Sequence, residues 1–134
     1  MPGFEIILQR ASANPRRIVL PEGEDPRVIE AAIAAQSLGT AKPVLLGSPS
    51  QIHNIAASIN LDASELEILD PANFEQRPLL AEKLHLLRQH KGMTLDTASE
   101  ALSNNLDFAC MLLRESFVDG CVAGAVYSLS LIHI

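Results

Sequence analysis

The chain has 134 residues, of which 48% are hydrophobic, and a formal net charge of −6 at pH 7. This length suits one compact core better than two domains, and the acidic balance excludes a non-specific nucleic-acid binder, which needs a basic face. The sequence contains neither an apolar stretch of the ~18 residues that a membrane span requires nor a signal-peptide pattern at its amino end. We therefore predict a cytoplasmic protein with no membrane partner.

The first predicted elements are a helix and a strand. Apolar residues recur at helical spacing before Asn14 and Pro15, which indicates an amphipathic helix whose stripe packs against the core: Phe4, Ile7, Leu8 and Ala11. The following short apolar run, Arg16 to Leu20, is typical of a buried parallel strand.

The second helix has clear ends in the sequence. Asp25 suits the N-cap, Pro26 fits the first turn because its missing N–H has no helical partner, and Gly39 suits the C-terminal cap. The predicted apolar side of this helix consists of Ile29, Ala32, Ile33 and the segment from Ala35 to Leu38.

The rest of the chain continues the alternation. Three further apolar runs predict strands: Lys42 to Gly47, Leu66 to Leu69, and Gly120 to Val126. Four helices are predicted between them: one capped by Ser50 and running through Ile59, one from Pro78 to about Gln89, one capped by Thr94, and one from Asn105. The order α-β-α-β-α-β-α-α-α-β predicts an α/β fold, with a mostly parallel sheet and helices on both faces, in one structural unit.

Metal-ligand patterns are missing from the sequence. Cys110 and Cys121 have no Cys-x-x-Cys spacing, so we predict buried small side chains instead of a disulfide framework or a zinc site. None of the four histidines forms a His-x-x-x-His pair: His53, His85, His90 and His133. We predict no metal site.

Two loops are candidates for a ligand site, because ligands of such sheets bind beyond the carboxyl ends of the strands. The first loop, Pro21 to Arg27, carries Glu22, Glu24 and Asp25 and lacks any recognisable phosphate-binding pattern. These acids either serve an active site or complement the dipole of the following helix. The sequence leaves both interpretations open.

The second candidate gathers positive charge where a predicted helix ends. Arg88, His90 and Lys91 stand beside Gly92, which can turn the chain sharply. They either compensate the helix dipole or bind an anionic ligand, which Arg can hold with two hydrogen bonds and Lys as a point charge.

Four fragments of the chain resemble a known family. The segments "RIVLPEGEDPRVIEAA", "AKPVLLG", "LRQHKGMT..TASEAL" and "VDGCVAGAVYS", in this order and spacing, are similar to the amino-terminal part of the phosphate acetyltransferase and phosphate butyryltransferase family. The resemblance implies part of a two-domain fold like that of isocitrate and isopropylmalate dehydrogenases. It also implies reversible acetyl transfer between coenzyme A and inorganic phosphate, giving acetyl phosphate, in a cleft between the domains of a protein that is commonly a homodimer. Coenzyme A is then a substrate, and no prosthetic group or metal is implied.

The resemblance also assigns substrate-binding residues. Arg88 matches a family arginine in the substrate cleft, with Lys91 as a weaker match, and Gly124 and Ser128 match the segment that precedes the phosphate-contacting loop. Two of these have a structural alternative, since Gly124 could allow close packing in a strand and Ser128 could be a strand-end hydroxyl. The catalytic residues are expected in a carboxyl-terminal part that this chain lacks, so residues 1–134 alone are expected to be inactive.

The last six residues depart from the family pattern. Where relatives continue toward a further arginine, this chain reads Leu129 to Ile134, "LSLIHI", which is also the translation of a DNA sequence that resembles the transposon-end adapter used in sequencing libraries. We interpret it as an adapter-derived tail, with a natural strand as the alternative.

Three other functions stay open. A phosphate butyryltransferase shares the fold, and its acyl preference depends on pocket volume. The other two are a related domain appended to a malic enzyme and a non-catalytic doubly wound binding module.

Overall fold

The computed structural model describes residues 2–124, apart from the side chains of Pro2, Phe4 and Leu8. Its four strands are β1 (Arg16–Leu20), β2 (Ala41–Leu46), β3 (Glu67–Leu69) and β4 (Gly120–Cys121). They form one sheet in the order β3-β2-β1-β4, and every pairing is parallel. The predicted parallel sheet is confirmed. Ser128 and the tail from Leu129 lie outside the described residues.

Six α-helices accompany the strands, in the predicted order. They are α1 (Pro2–Ala13), α2 (Pro26–Leu38), α3 (Pro49–Ser58), α4 (Arg77–Arg88), α5 (Leu95–Ala101) and α6 (Asn105–Arg114). Short 3-10 turns at Pro71–Asn73 and Gln89–Lys91 stand before and after α4.

The helix caps match the prediction at three positions and differ at a fourth. Asp25 accepts the Arg27 N–H at 2.8 Å and Gly39 has a left-handed φ of 72°, as predicted for α2. Thr94 caps α5 in a reciprocal capping box. The prediction of Ser50 as N-cap of α3 is wrong, because the cap is Ser48 and Pro49 follows it. A proline disfavours helical geometry in the preceding residue and fits the first helical turn, so this helix starts two residues earlier than predicted.

The sheet is buried between two helical layers. In β2, Val44 and Leu46 pack toward α4, α5 and α6, whereas Leu45 packs toward α2 and α3. Successive strand side chains point to opposite faces, so a strand covered on both faces needs a continuous apolar run. All three side chains are fully buried. Each contributes roughly 1.5–3 kcal/mol relative to an exposed position.

Several predicted apolar positions are more exposed than expected. Ile7 in α1 is 63% exposed and Leu38 in the last turn of α2 is 65% exposed. The packing prediction is therefore wrong for Ile7, because helices α2–α6 already cover both faces of the sheet, and for Leu38, which lies at the exposed end of α2. Cys110 and Cys121 are half-buried and not buried as predicted, and β4 ends at Cys121 instead of continuing toward Val126. Within residues 2–124 no helix has the length and apolarity to span a membrane.

Candidate functional site

The strand order places a switch point beside β1. From β1 the chain builds outward through β2 to β3, and then crosses to the other side of β1 to form β4. In open α/β sheets, ligands bind outside the carboxyl ends of the two strands where the order reverses. The candidate site therefore lies between the loop after β1 (Pro21–Asp25) and the loop after β4 (Val122–Gly124), which we call the switch-point loops.

The loop after β1 is held tightly at this place. A Cβ on Gly23 would lie 2.9 Å from the Leu46 amide nitrogen and still closer to the Leu46 carbonyl oxygen, so only glycine fits. From α6, the side-chain amide of Asn105 donates to the Pro21 carbonyl at 3.2 Å. The backbone of this loop is thus fixed by β2 on one side and by α6 on the other.

A buried carboxylate joins the two switch-point loops. Glu22 is only 8% exposed, and its Oε1 accepts the Gly124 N–H at 2.8 Å. Gly124 has a φ of 123°, which favours glycine, while none of the described residues places an atom within 4 Å of where its Cβ would be. Gly124 also lies beyond the end of β4. The alternative that this glycine serves close packing in a strand is therefore wrong, and backbone conformation is its structural requirement.

The other two acids of the loop have structural partners at helix starts. Glu24 accepts the Ser48 N–H at 3.1 Å, at the start of α3. Asp25 caps α2 and pairs with Arg27 at 2.8 Å, and the hydrogen bonds from Arg27 lower the pKa of Asp25 to about 2. The dipole interpretation thus describes Asp25. Glu24 also lines a cavity of about 450 Å³ with Ser48, Asp70, Arg77 and Asn105, beyond the carboxyl ends of β2 and β3.

The predicted cationic residues line a second cavity, of about 510 Å³, between α4, α5 and α6. Arg88 and Lys91 both line this α4–α6 cavity, together with His90 and with Arg114 from α6. Its remaining wall is largely apolar and includes Leu84, Leu87, Met93, Met111 and Leu113. The structure therefore brings Arg88 and Lys91 together at a cavity that combines positive charge with apolar surface.

Two cysteines lie between this cavity and the switch-point loops: Cys110 lines the cavity, and Cys121 is close to both Cys110 and Glu22. Burial raises the pKa of Cys110, a cavity residue; nearby Asp107 raises it further, and the positive charge of Arg88 opposes the rise. Burial raises the pKa of Cys121 to about 11, with contributions from Cys110 and Glu22. Both thiols are protonated near neutral pH, which makes them poor nucleophiles. The charge of Arg88 thus limits the rise in the pKa of Cys110, and Glu22 raises the pKa of Cys121.

Some contributors to this region were not predicted from the sequence. Asn105 was placed only as the start of a helix, and Arg114 was not singled out, although both lie in the predicted segment that became α6. Gly23 belongs to the acidic loop, and the sequence pattern around it did not indicate that its backbone lies against Leu46 of β2. Among residues 2–124, no group of three or more His, Cys, Asp and Glu side chains could hold a metal ion.

Comparison with known proteins gives one consistent family. The sequence matches the family described as phosphate acetyl/butaryl transferase over residues 4–132. It is 40% identical over 125 residues to a phosphate acetyltransferase of Thermoanaerobacterium thermosaccharolyticum, covering 93% of this chain and 38% of that protein. It is 40% identical over 114 residues to the Escherichia coli phosphate acetyltransferase, covering 84% of this chain and 16% of that protein.

Solved structures agree with the sequence matches. The chain superposes on the EutD phosphotransacetylase from Staphylococcus aureus with a TM-score of 0.84 and 35% identity, covering 92% of this chain and 37% of that one. For a phosphotransacetylase from Streptococcus pyogenes the TM-score is 0.88 at 27% identity, with 95% and 38% covered. The chain spans well under half the length of these relatives. It belongs to the phosphate acetyl/butaryl transferase family.

Proposed function

We propose that this chain is the amino-terminal part of a phosphate acetyltransferase, which transfers an acetyl group reversibly between coenzyme A and inorganic phosphate. The observation that carries the proposal, beside family membership, is the α4–α6 cavity. In a chain with a net charge of −6, it gathers Arg88, Lys91 and Arg114 around an apolar wall. A ligand with phosphate groups and a less polar arm, such as coenzyme A, matches that combination.

The reaction has simple requirements. The thiolate sulfur of coenzyme A attacks the acetyl carbon of acetyl phosphate, the carbon–oxygen bond to phosphate breaks, and phosphate leaves with the bonding electron pair. A base must remove the thiol proton, and cations or N–H donors must stabilise charge on the acyl oxygen and on phosphate. We assign the cationic part to Arg88 and Lys91. The base and the principal transition-state donors are assigned to the part of the longer relatives that this chain does not cover.

Gly124 and Ser128 complete the proposed substrate-binding set. The Gly124 N–H donates to Glu22, so its direct use for an oxyanion would require that bond to be exchanged. We therefore assign Gly124 a role in the backbone conformation of the loop after β4. The hydroxyl of Ser128 is proposed to bind phosphate. Ser128 lies outside the described residues and keeps this role as a proposal.

The wider properties of the full-length protein are proposals of the same kind. We propose a cytoplasmic homodimer with a two-domain fold like that of isocitrate and isopropylmalate dehydrogenases, coenzyme A, phosphate and acetyl phosphate as small-molecule partners, and no prosthetic group. Residues 1–134 alone are expected to transfer no acetyl group, because an oriented cleft needs both walls. If Leu129–Ile134 is adapter-derived, its removal leaves the fold intact.

Acyl preference separates the first two candidate activities. The full-length gene product should form acetyl phosphate from acetyl-coenzyme A and phosphate with a higher kcat/KM than it forms butyryl phosphate from butyryl-coenzyme A. The reverse preference would identify a butyryltransferase. Loss of both activities, with binding of coenzyme A retained, would favour the non-catalytic binding module, and a gene encoding an attached dehydrogenase part would favour the malic-enzyme domain.

Arg88 offers the residue-level test of the proposed cavity. In the full-length enzyme, Arg88→Ala should lower kcat/KM by about 10- to 150-fold, because a lost charged hydrogen bond to phosphate costs roughly 1.5–3 kcal/mol. Arg16→Ala, which removes an exposed arginine at the start of β1, is the matched control and should leave kcat/KM unchanged. Unchanged kinetics for folded Arg88→Ala would return Arg88 to dipole compensation at the end of α4.

A further inference from the structure

Glu22 continues the pairing of β1 with β4 after the β1 backbone has turned away. The last backbone bond between them runs from the Val122 N–H to the Val19 carbonyl at 3.1 Å. Two residues further along, the Gly124 N–H donates to the Glu22 side chain at 2.8 Å instead of to a strand carbonyl. A carboxylate oxygen thus replaces the strand carbonyl as the acceptor.

The position of that carboxylate is itself fixed. The Glu22 carbonyl accepts the Asp25 N–H at 3.0 Å, Asn105 holds the preceding Pro21 carbonyl, and Gly23 is confined against Leu46. A side chain that leaves a braced backbone and is 92% buried has little freedom to move away from its partner.

From this geometry we infer that Glu22 is a positioning residue, which holds the loop after β4 in place at Gly124. Its role in catalysis rests on the proposed function, because that segment matters only if it leads to a phosphate site. Glu22 acts through Gly124, whose N–H donates to its carboxylate. Gly124 contributes the unusual φ of 123°, which the Glu22 bond holds in place.

Amide hydrogen exchange of the full-length protein tests the inference without depending on activity. Glu22→Ala should speed exchange at the Gly124 amide by about 10- to 150-fold, the change expected when a charged hydrogen bond of roughly 1.5–3 kcal/mol is lost. Glu22→Gln keeps an acceptor oxygen at the same place and should retain part of the protection.

Two controls separate local positioning from general loosening. Glu24→Ala, in the same loop, should expose the Ser48 amide and leave Gly124 protected. Ile52→Val, buried on the other face of the sheet, should lower stability without changing exchange at Gly124 relative to its neighbours. Unchanged Gly124 exchange in folded Glu22→Ala would overturn the inference. If Glu22→Ala does not fold, Gly124 exchange in Glu22→Gln decides, and wild-type rates there would also overturn it.

Kinetics then test the functional part. Glu22→Ala should lower kcat for acetyl phosphate formation about tenfold or more, with Glu22→Gln recovering part of the loss, whereas Ile52→Val should leave kcat unchanged. A wild-type protein that forms no acetyl phosphate would refute the proposed function and leave the exchange result to judge Glu22. An active enzyme with equal kcat in the two Glu22 variants and wild type would refute the catalytic role of positioning.

Discussion

Strands β1 and β4 are joined near both ends through a side chain of β1 or of the loop after it, and the two contacts differ in exposure. At the amino end, the Arg17 guanidinium donates to the Phe117 carbonyl at 2.6 Å and to Glu67 at 2.5 Å. The two side chains of that ion pair are 40% and 50% exposed. At the carboxyl end, Glu22 is buried and bonds a backbone N–H.

This difference in exposure predicts different contributions to the free energy of unfolding at the two ends. An exposed ion pair contributes about 0.2–1 kcal/mol, because water screens it and two long side chains must be ordered. Burying a carboxylate instead costs free energy unless hydrogen bonds compensate the lost hydration. Removing one partner of such a bond is therefore costly. Changes to the exposed ion pair at the amino end should therefore cost less stability than changes to the buried groups at the carboxyl end.

The largest expected effect is at the carboxyl end. Gly23→Ala places a methyl group against the Leu46 backbone and should lower the free energy of unfolding by about 1–3 kcal/mol or more. Gly3→Ala is the matched control, because within the described part of the chain no atom lies within 4 Å of where the new Cβ would be, and alanine favours the helix. Urea denaturation of the two variants measures both effects. Equal midpoints for Gly23→Ala and wild type would mean that the loop is not held against β2.

A smaller effect is expected at the amino end. Arg17→Met removes the ion pair and the bond to Phe117 and should cost about 1–2 kcal/mol of unfolding free energy. Glu67→Gln removes only the charge of the pair and should cost less than about 1 kcal/mol, and still less at high salt. Urea denaturation at two salt concentrations compares them. A greater loss in Glu67→Gln than in Arg17→Met would reverse the comparison.

The smallest effect concerns the acid that caps α2 at the carboxyl end. The pKa of Asp25 falls from 3.8 to about 2 in the folded chain, chiefly through its side-chain hydrogen bond with Arg27. Its carboxylate therefore stabilises the fold above pH 3.8, and this contribution disappears as the pH falls toward 2. Asp25→Asn keeps an N-cap and removes the charge.

Thermal unfolding across pH checks the sign. Wild type should be slightly more stable than Asp25→Asn at pH 6, and the two should converge near the folded pKa of about 2. A difference that persists unchanged at low pH would contradict the assignment. Convergence would show that the charge of Asp25 accounts for the difference between wild type and Asp25→Asn.

The sequence predicted the parts of this molecule that depend on local patterns. Asp25, Pro26 and Gly39 bound α2 as expected, and the apolar run of β2 marks a strand buried on both faces. Ser48 was missed because the next residue, Pro49, decides where α3 starts. The site was harder to predict from the sequence, since the bond between Glu22 and Gly124 joins residues 102 positions apart and depends on β4 lying beside β1. Likewise, Arg114 joins Arg88 only through the packing of α6 on α4.

Mapping of ligand binding tests the central claim most directly. In the full-length protein, amide hydrogen exchange should be measured with and without coenzyme A and phosphate. Protection should increase at Glu22 and Gly124 and around Arg88 and Lys91, and should stay unchanged at the amino end around Arg17. Protection confined to the amino end, or no protection in an enzyme that forms acetyl phosphate, would contradict the assignment of the carboxyl end and the α4–α6 cavity to substrate binding.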